Sequence, residues 1–107
     1  KRRVEVSAGN AFVNAGGTWP SSIRVTAKPG AVAKWRITNA DTGEFVALEG
    51  SFSSSTTIGV DMGAERATIN NQNAPVTIDS DFFEISGRTH LVVSSGTAVL
   101  EWVERWL

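Results

Sequence analysis

The sequence predicts an all-β domain of antiparallel strands, arranged as a two-sheet β-sandwich or a barrel. Apolar and polar residues alternate with period two in segments rich in Val, Ile, Thr and Trp, which is the pattern of half-buried strands. Turn signals recur about every ten residues along the chain. No segment shows the periodicity of an amphipathic helix, so the prediction contains little or no helix.

The strand pattern covers most of the chain. In SIRVTAK, for example, Ile23 and Val25 lie on one face while Arg24 and Thr26 lie on the other. Each segment has the length of one strand in a compact sheet. In chain order the segments are RVEVS, SIRVTAK, AKWRIT, EFVAL, TIGVDM, RATIN, VTI, HLVVSS and AVLEWV.

Short polar segments with glycine or proline separate the strands and predict turns. Between TIGVD and RATIN, we expect Gly63 to supply the positive φ of a hairpin turn. We also expect short carboxylates beside turns, such as Asp41 and Asp61, to accept hydrogen bonds from free backbone N–H groups. The turn segments are Lys28–Ala31, Asn39–Gly43, Asp61–Glu65, the polar loop Asn70–Pro75, and Ser94–Thr97, which is expected to join the last two strands.

The inward-facing positions of these strands predict the hydrophobic core. Val99 and Leu100 are adjacent, so only one of them faces inward in a two-layer sandwich. Trp102 and Trp106 are expected to cover one end of the core. The predicted core consists of Trp35, Ile37, Phe45, Ile58, Val60, Ile69, Phe83, Leu91, Val93, Val99 and Leu100.

Composition limits the classes of function. The 107 residues fit one domain, residues 1–107, and 41% apolar with 20% charged residues is typical of a globular chain. The net charge of −1 offers no basic excess for nucleic acid. No apolar run approaches the roughly 20 residues of a membrane-spanning helix, so we expect no membrane insertion. Cysteine is absent, which excludes disulfides and thiolate metal sites. The chain begins with Lys1 rather than Met, so we expect it to be part of a longer protein.

The sequence carries no catalytic signature, and we expect no enzyme activity. His90 is the one histidine and lies inside a strand pattern, with no Gly-x-Ser-x-Gly elbow around any serine. Asp79 and Asp81 form a single Asp-x-Asp pair, which is more typical of a solvated turn than of a calcium loop. We therefore assign no catalytic residue, no cofactor and no metal site.

The segment VNAGGTWPSS raises the question of a ligand site. Trp19 lies in a loop, and an exposed tryptophan could stack on a sugar ring with Arg24 or His90 as hydrogen-bonding partners. The favoured interpretation is structural: Asn14 bonds the loop's own amides, and Trp19 covers an edge of the core. Pro20 has no N–H and suits the first position of a strand. Trp19, Arg24 and His90 are the candidate ligand-binding residues.

A series of short motifs extends from Val13 to Leu107. It lies in the stretches VNAGGTWPSSIRVTA, WRITNADTGEFVAL, TTIGVDMGAERATINNQ and DFFEISGRTHLVVSSGTAVLEWVERWL. In order and spacing the series resembles the C-terminal domain of the distal tail protein family of long-tailed, non-contractile phages, the siphophage tail component family. Asn71 stands where that family usually has glycine. The matching positions are Asn14, Gly17, Thr18, Ile37, Thr38, Asn39, Thr42, Gly43, Glu44, Ile58, Val60, Asp61, Asn70, Phe82, Phe83, Ile85, Arg105, Trp106 and Leu107.

The resemblance implies a galectin-like, jelly-roll-like β-sandwich carried on the outside of a tail-tip hub. It implies a structural module of the virion that docks other tail or baseplate proteins or faces the host. The parent protein would be a homo-oligomeric ring, assembled in the host cytoplasm and located at the tail tip. The resemblance transfers no sugar-binding residue, because a shared sandwich does not imply a shared site.

Two further hypotheses remain open beside the structural module. A carbohydrate-binding module that recognises a cell-surface glycan would need an exposed aromatic ring with Asn, Asp, Arg or His beside it. An immunoglobulin-like adhesion domain is less favoured, because its Cys–Trp–Cys pattern is absent.

Overall fold

The computed structural model describes residues 2–16 and 20–103, and within them the chain forms ten β-strands and no helix. The pairings between these strands are all antiparallel. The predicted all-β antiparallel class is therefore confirmed. None of the described segments forms a helix long and apolar enough to cross a membrane. The strands are β1 (Arg2–Asn14), β2 (Ser21–Ser22), β3 (Arg24–Lys28), β4 (Lys34–Asn39), β5 (Phe45–Glu49), β6 (Ile58–Asp61), β7 (Arg66–Ile69), β8 (Gln72–Ala74), β9 (Glu84–Ile85) and β10 (Arg88–Trp102).

Strand β10 connects the two layers of the molecule. Eight strands form one sheet in the order β5-β4-β10-β3-β6-β7-β8, with β1 also paired to β10, and β2 and β9 form a small second sheet. Strand β4 pairs with β10 at 91–93, and β3 pairs with it at 97–101. Strand β1 follows β10 through both regions. The two layers are therefore two parts of one continuous sheet, and their buried side chains form a single core.

The segment Ser94–Thr97 is a bend inside β10, and the predicted turn between two strands is wrong at this point. The register with β1 shifts between Ser7 and Gly9, which marks a β-bulge. More residues of β10 than of β1 lie between the two flanking residue pairs. Gly96 takes a positive φ of 71°. The hydroxyl of Ser95 donates to the carbonyl oxygen of Pro29 at 2.9 Å, which ties the bend to the β3–β4 connection.

Most of the predicted core is confirmed. Leu100 is fully buried while its neighbour Val99 is half-buried on the other face, as strand alternation requires. Phe45 and Ile69 are also only half-buried. Trp102 is buried, and its indole N–H donates to the carbonyl oxygen of Ala15 at 2.7 Å. The predicted positions that are buried are Trp35, Ile37, Ile58, Val60, Phe83, Leu91, Val93 and Leu100.

The segment VTI (76–78) is not a strand. Instead, the segment that contains it caps the outer edge of β5: the N–H of Thr77 donates to the carbonyl oxygen of Ala47 at 2.9 Å, and the N–H of Ala47 donates to the Ser80 hydroxyl at 2.9 Å. Ile78 is fully exposed. A covered edge is protected from pairing with other chains, so the run contributes to solubility rather than to the sheet.

The predicted polar loop at 70–75 contains a tight hairpin. Asn70 and Asn71 take φ values of 52° and 67°, and Ile69 pairs with Gln72 across them. Two consecutive positive φ values define a type I′ turn, which favours Asn and Gly. This conformation explains why asparagine is accepted at 71, where glycine is usual in the family that the sequence resembles.

The β6–β7 hairpin is confirmed, but its geometry differs from the prediction. The positive φ of 54° belongs to Glu65, and Gly63 does not share it. Gly63 lies close to another segment instead, since an added Cβ would approach the Cβ of Ser22 to 3.3 Å. The turn is held by Asp61, whose Oδ1 accepts the N–H of Ala64 at 3.1 Å and whose Oδ2 accepts from Arg24 at 3.1 Å.

The interactions of the ionised Asp61 carboxylate stabilise the fold, and this stabilisation is lost at acidic pH. The backbone N–H of Ala64 and then the Arg24 guanidinium hold the pKa of this carboxyl below its ordinary value of 3.8, against the opposing effect of partial burial. A depressed folded-state pKa gives stability that is full above the unfolded-state pKa and is lost as the pH falls through the folded-state value. We expect Asp61→Asn to lower the melting temperature at about pH 6 and to show a shallower loss between about pH 4 and pH 2 than the unmodified chain. Asp81→Asn, at an exposed position outside the strands, is the control, and identical acid profiles for all three proteins would contradict this role.

Gly96 is the most constrained glycine of the described chain. A Cβ at this position would clash with the carbonyl oxygen of Lys28, and the φ is already in the left-handed region. We expect Gly96→Ala to destabilise the domain by about 2 kcal/mol or more in urea denaturation. Gly43→Ala is the matched control, because Gly43 has a φ of 81° but nothing within 4 Å of an added Cβ. It should cost only the left-handed penalty of about 1 kcal/mol, and equal costs at the two sites would argue against the clash.

Candidate functional site

An exposed aromatic ring on the outer face of the sheet is the centre of the candidate site. Phe12 on β1 lies directly opposite His90 on β10, and its side chain is 57% exposed. The two rings stack with centroids 4.4 Å apart and an interplanar angle of 17°. The Nε2 atom of His90 lies 2.8 Å from the Oδ1 atom of Asn10, and the backbone N–H of His90 donates to the Asp41 carboxylate at 2.9 Å. The contact with Asn10 thus orients the imidazole against the ring of Phe12.

Arg88 adds a positive charge to this cluster. Its guanidinium carbon lies 4.7 Å from the centroid of the Phe12 ring, which is the distance of a cation–π contact. Arg88 is exposed, and within residues 2–16 and 20–103 no carboxylate forms an ion pair with it. The residues Asn10, Phe12, Arg88 and His90 are called the aromatic–basic face from here on.

The same sheet surface carries a second arginine–phenylalanine pair. The strand register places Asn10 opposite Val92, Val92 opposite Thr38, and Thr38 opposite Phe45. The guanidinium of Arg36 lies 5.1 Å from the centroid of the Phe45 ring. Phe45 therefore lies on the outer face shared with Phe12, two strands away from β10, and the aromatic–basic character extends across four strands.

The structure does not bring the sequence-predicted site residues Arg24 and His90 together. Arg24 pairs with Glu101 at one end of β10 and forms an ion pair with Asp61 at 3.1 Å, whereas His90 lies eleven positions away near the other end. Trp19 lies outside the described residues. Beside it, the Oδ1 atom of Asn14 accepts the N–H of Gly16 at 3.0 Å, as predicted for this loop.

The sequence interpretation missed Phe12, Arg88 and Asn10. The signal was present, because in GNAFVN the residues Asn10, Phe12 and Asn14 alternate with Ala11 and Val13. Val13 is buried and Phe12 is exposed, so the alternation puts the phenylalanine on the polar face. A large apolar residue at a polar position of a strand indicates an interaction surface rather than core.

The aromatic–basic face has the chemistry of a binding surface. The His90 ring contacts an amide and a phenyl ring, and no described hydroxyl group hydrogen-bonds to it. Within the described part of the chain, no group of three or more His, Asp or Glu side chains is close enough to share a metal ion. An exposed aromatic ring beside an arginine without a described carboxylate partner is, however, the composition found at protein interfaces.

Comparison with known proteins identifies the family. The family model of the siphovirus-type tail component, C-terminal domain, matches residues 16–106. The fold is similar to the crystal structure of SPP1 Dit (gp 19.1), described as a paradigm of the hub adsorption apparatus in phages that infect Gram-positive bacteria. The TM-score is 0.85 with 16% sequence identity, over 99% of this chain and 46% of that protein. No curated protein sequence matches this chain significantly.

The chain thus spans less than half the length of the solved structure that it resembles. The match of the family model covers most of the chain, in agreement with the resemblance found in its motifs. The protein therefore belongs to the siphovirus-type tail component family and carries the C-terminal domain of that phage tail component.

Proposed function

We propose that this domain is a non-enzymatic interaction module of a distal tail protein, displayed at the tail tip of the virion. Its parent protein forms a homo-oligomeric ring, assembles with other tail and baseplate proteins in the host cytoplasm, and carries this domain on the outside. The aromatic–basic face docks another tail component or faces the host surface. The observation that carries the proposal is the exposed ring of Phe12 beside Arg88, whose guanidinium has no carboxylate partner among the described residues.

The energetics of the face support docking of a protein. The stacked His90 ring and the Arg88 guanidinium already restrict the Phe12 side chain, so little side-chain entropy remains to be lost on binding. Phenylalanine and arginine are enriched at the cores of interfaces, and arginine is among the residues that concentrate binding energy when a partner excludes water from them.

A second candidate function is binding of a cell-surface glycan on the same face. The observation that favours it is the combination of an exposed ring with Asn10, His90 and Arg88 around it, which is the set that a sugar site requires. It ranks second because His90 and Arg88 already lie over the Phe12 ring, where a pyranose would have to stack. The amide of Asn10 is also engaged with His90 rather than free for a hydroxyl group.

Substitution of Phe12 separates these functions. We expect Phe12→Ala to weaken binding to one of the purified tail-tip proteins of the same phage by about tenfold or more, as for loss of an interface anchor. Because the side chain is more than half exposed, the free energy of unfolding should change by less than about 1 kcal/mol. Binding is measured by biolayer interferometry, with each tail protein immobilised in turn, and stability by urea denaturation.

Val103→Ala is the matched control, since Val103 is 60% exposed at the opposite end of β10. It should leave binding unchanged. Unaltered binding of Phe12→Ala to the tail proteins would contradict docking through this face. Loss of binding on a glycan array, with tail-protein binding retained, would make the second candidate the function of the face.

A further inference from the structure

The outer edge of β1 has no partner strand within the described residues. Strand β1 contains thirteen residues and pairs with β10, and no other described strand pairs with it. An open edge offers a row of backbone N–H and C=O groups to a strand from another chain. Addition of such a strand requires that backbone N–H and C=O groups of β1 face outward and that the edge carries no protecting feature.

The hydrogen bonds of His90 establish the direction of these groups. The carbonyl oxygen of His90 accepts the N–H of Ala40 at 2.8 Å, and its N–H donates to Asp41 at 2.9 Å. Both backbone groups of His90 thus face away from β1. Phe12 and His90 are consequently a non-hydrogen-bonded pair of the antiparallel ladder. The N–H and C=O of Phe12 therefore face the open edge.

The neighbouring residues follow by alternation. The N–H of Ala15 donates to the carbonyl oxygen of Gly87 at 2.9 Å, which shows that the odd-numbered residues of this region bond toward the β10 side. Asn10 and Asn14 share the orientation of Phe12. Asn10, Phe12 and Asn14 thus present their backbone groups outward, while Ala11 and Val13 bond inward.

This half of the edge lacks the usual protection. Natural edge strands are shielded by charges, proline, bulges or shortness. The first half of β1 has such features, with an Arg3–Glu5 ion pair at 3.4 Å and the bulge between Ser7 and Gly9. The segment 10–14, NAFVN, contains neither a charge nor a proline.

We propose that the edge of β1 at 10–14 accepts an extended segment of another tail protein as an added β-strand. The added segment alternates apolar residues, which continue the inner layer beside Ala11 and Val13, with acidic residues on the outer face. The acidic character follows from Arg88, whose guanidinium lies over Phe12 toward the edge without a described carboxylate partner. This inference rests on the proposed docking function and specifies how the partner binds.

A second copy of the chain suits the edge less well. Two β1 strands paired antiparallel about Phe12 would bring two Arg88 guanidinium groups to the same face of the extended sheet. Because each guanidinium lies over the Phe12 ring of its own β1, the two like charges would face each other across the new pairing and repel. An acidic partner segment gains the opposite charge instead.

Amide hydrogen exchange of the intact 107-residue chain tests the edge directly. The probe is a synthetic seven-residue peptide in which valine alternates with threonine or glutamate. In the free domain the amides of Asn10, Phe12 and Asn14 should exchange rapidly, while those of Ala11 and Val13 are protected. Saturating peptide, at millimolar concentration in an NMR titration, should protect all five. A peptide with lysine in place of glutamate should bind about tenfold more weakly at low salt.

Proline at position 14 provides the matched substitution. Asn14→Pro and Asn14→Ala both remove the side-chain amide that bonds Gly16, but only proline removes the outward N–H. We expect Asn14→Ala to bind the peptide as the unmodified chain does and Asn14→Pro to bind about tenfold more weakly, with similar melting temperatures. Equal affinity of the two variants, or peptide binding without protection of Phe12 and Asn14, would overturn strand addition.

Two outcomes separate this inference from the proposed function. Loss of tail-protein binding in Phe12→Ala, together with unchanged binding in Asn14→Pro, would leave docking in place and overturn strand addition. Protection of the same amides that rises with protein concentration, without peptide, would overturn the assigned partner in favour of a second copy.

Discussion

The fold depends on the pairing of β1 and β10 as one bent ribbon that belongs to both layers. Strand β10 pairs with β4 before the bend and with β3 after it, so its backbone must change direction without leaving β1. Gly96 makes this possible, because its positive φ and missing side chain allow the carbonyl oxygen of Lys28 to approach. The hydroxyl of Ser95 then fixes the neighbouring connection. The positions of both layers follow from this one bend.

Local alternation predicted most strands, but not where strands end. Ile23 and Val25 were assigned to one face and both are buried, because period two is a property of the strand itself. The segment Ser94–Thr97 has the composition of a turn, and only its long-range pairing with β1 makes it a bend within one strand. The run VTI similarly resembles a strand, but it caps β5 at Ala47 instead of joining the sheet. Sequence patterns do not contain these non-local pairings.

The candidate site shows the same division between local and non-local information. The sequence places His90 inside a strand pattern, and the structure has it half-buried in β10. Its partner Phe12 could have been found from the alternation of GNAFVN. Their stacking, and the position of Arg88 over the phenyl ring, depends on the β1–β10 register, which the sequence does not specify. For the same reason Arg24 and His90, grouped as possible partners of Trp19, lie far apart: Arg24 on β3 is opposite Glu101 at one end of β10, and His90 lies near the other end.

The open edge and the aromatic–basic face have a common origin in this topology. Strands β4 and β3 pair with one side of β10, and among the described strands β1 alone pairs with its other side. Strand β5 has its own edge capped by Thr77 and Ser80, whereas the described residues leave β1 at 10–14 uncapped. Phe12 lies on that strand and Arg88 on its neighbour, so the exposed ring, a guanidinium without a described carboxylate partner and the outward-facing backbone groups occur side by side. A fold that closes its core through one shared ribbon thereby places the groups of the proposed binding surface along the outer strand of that ribbon.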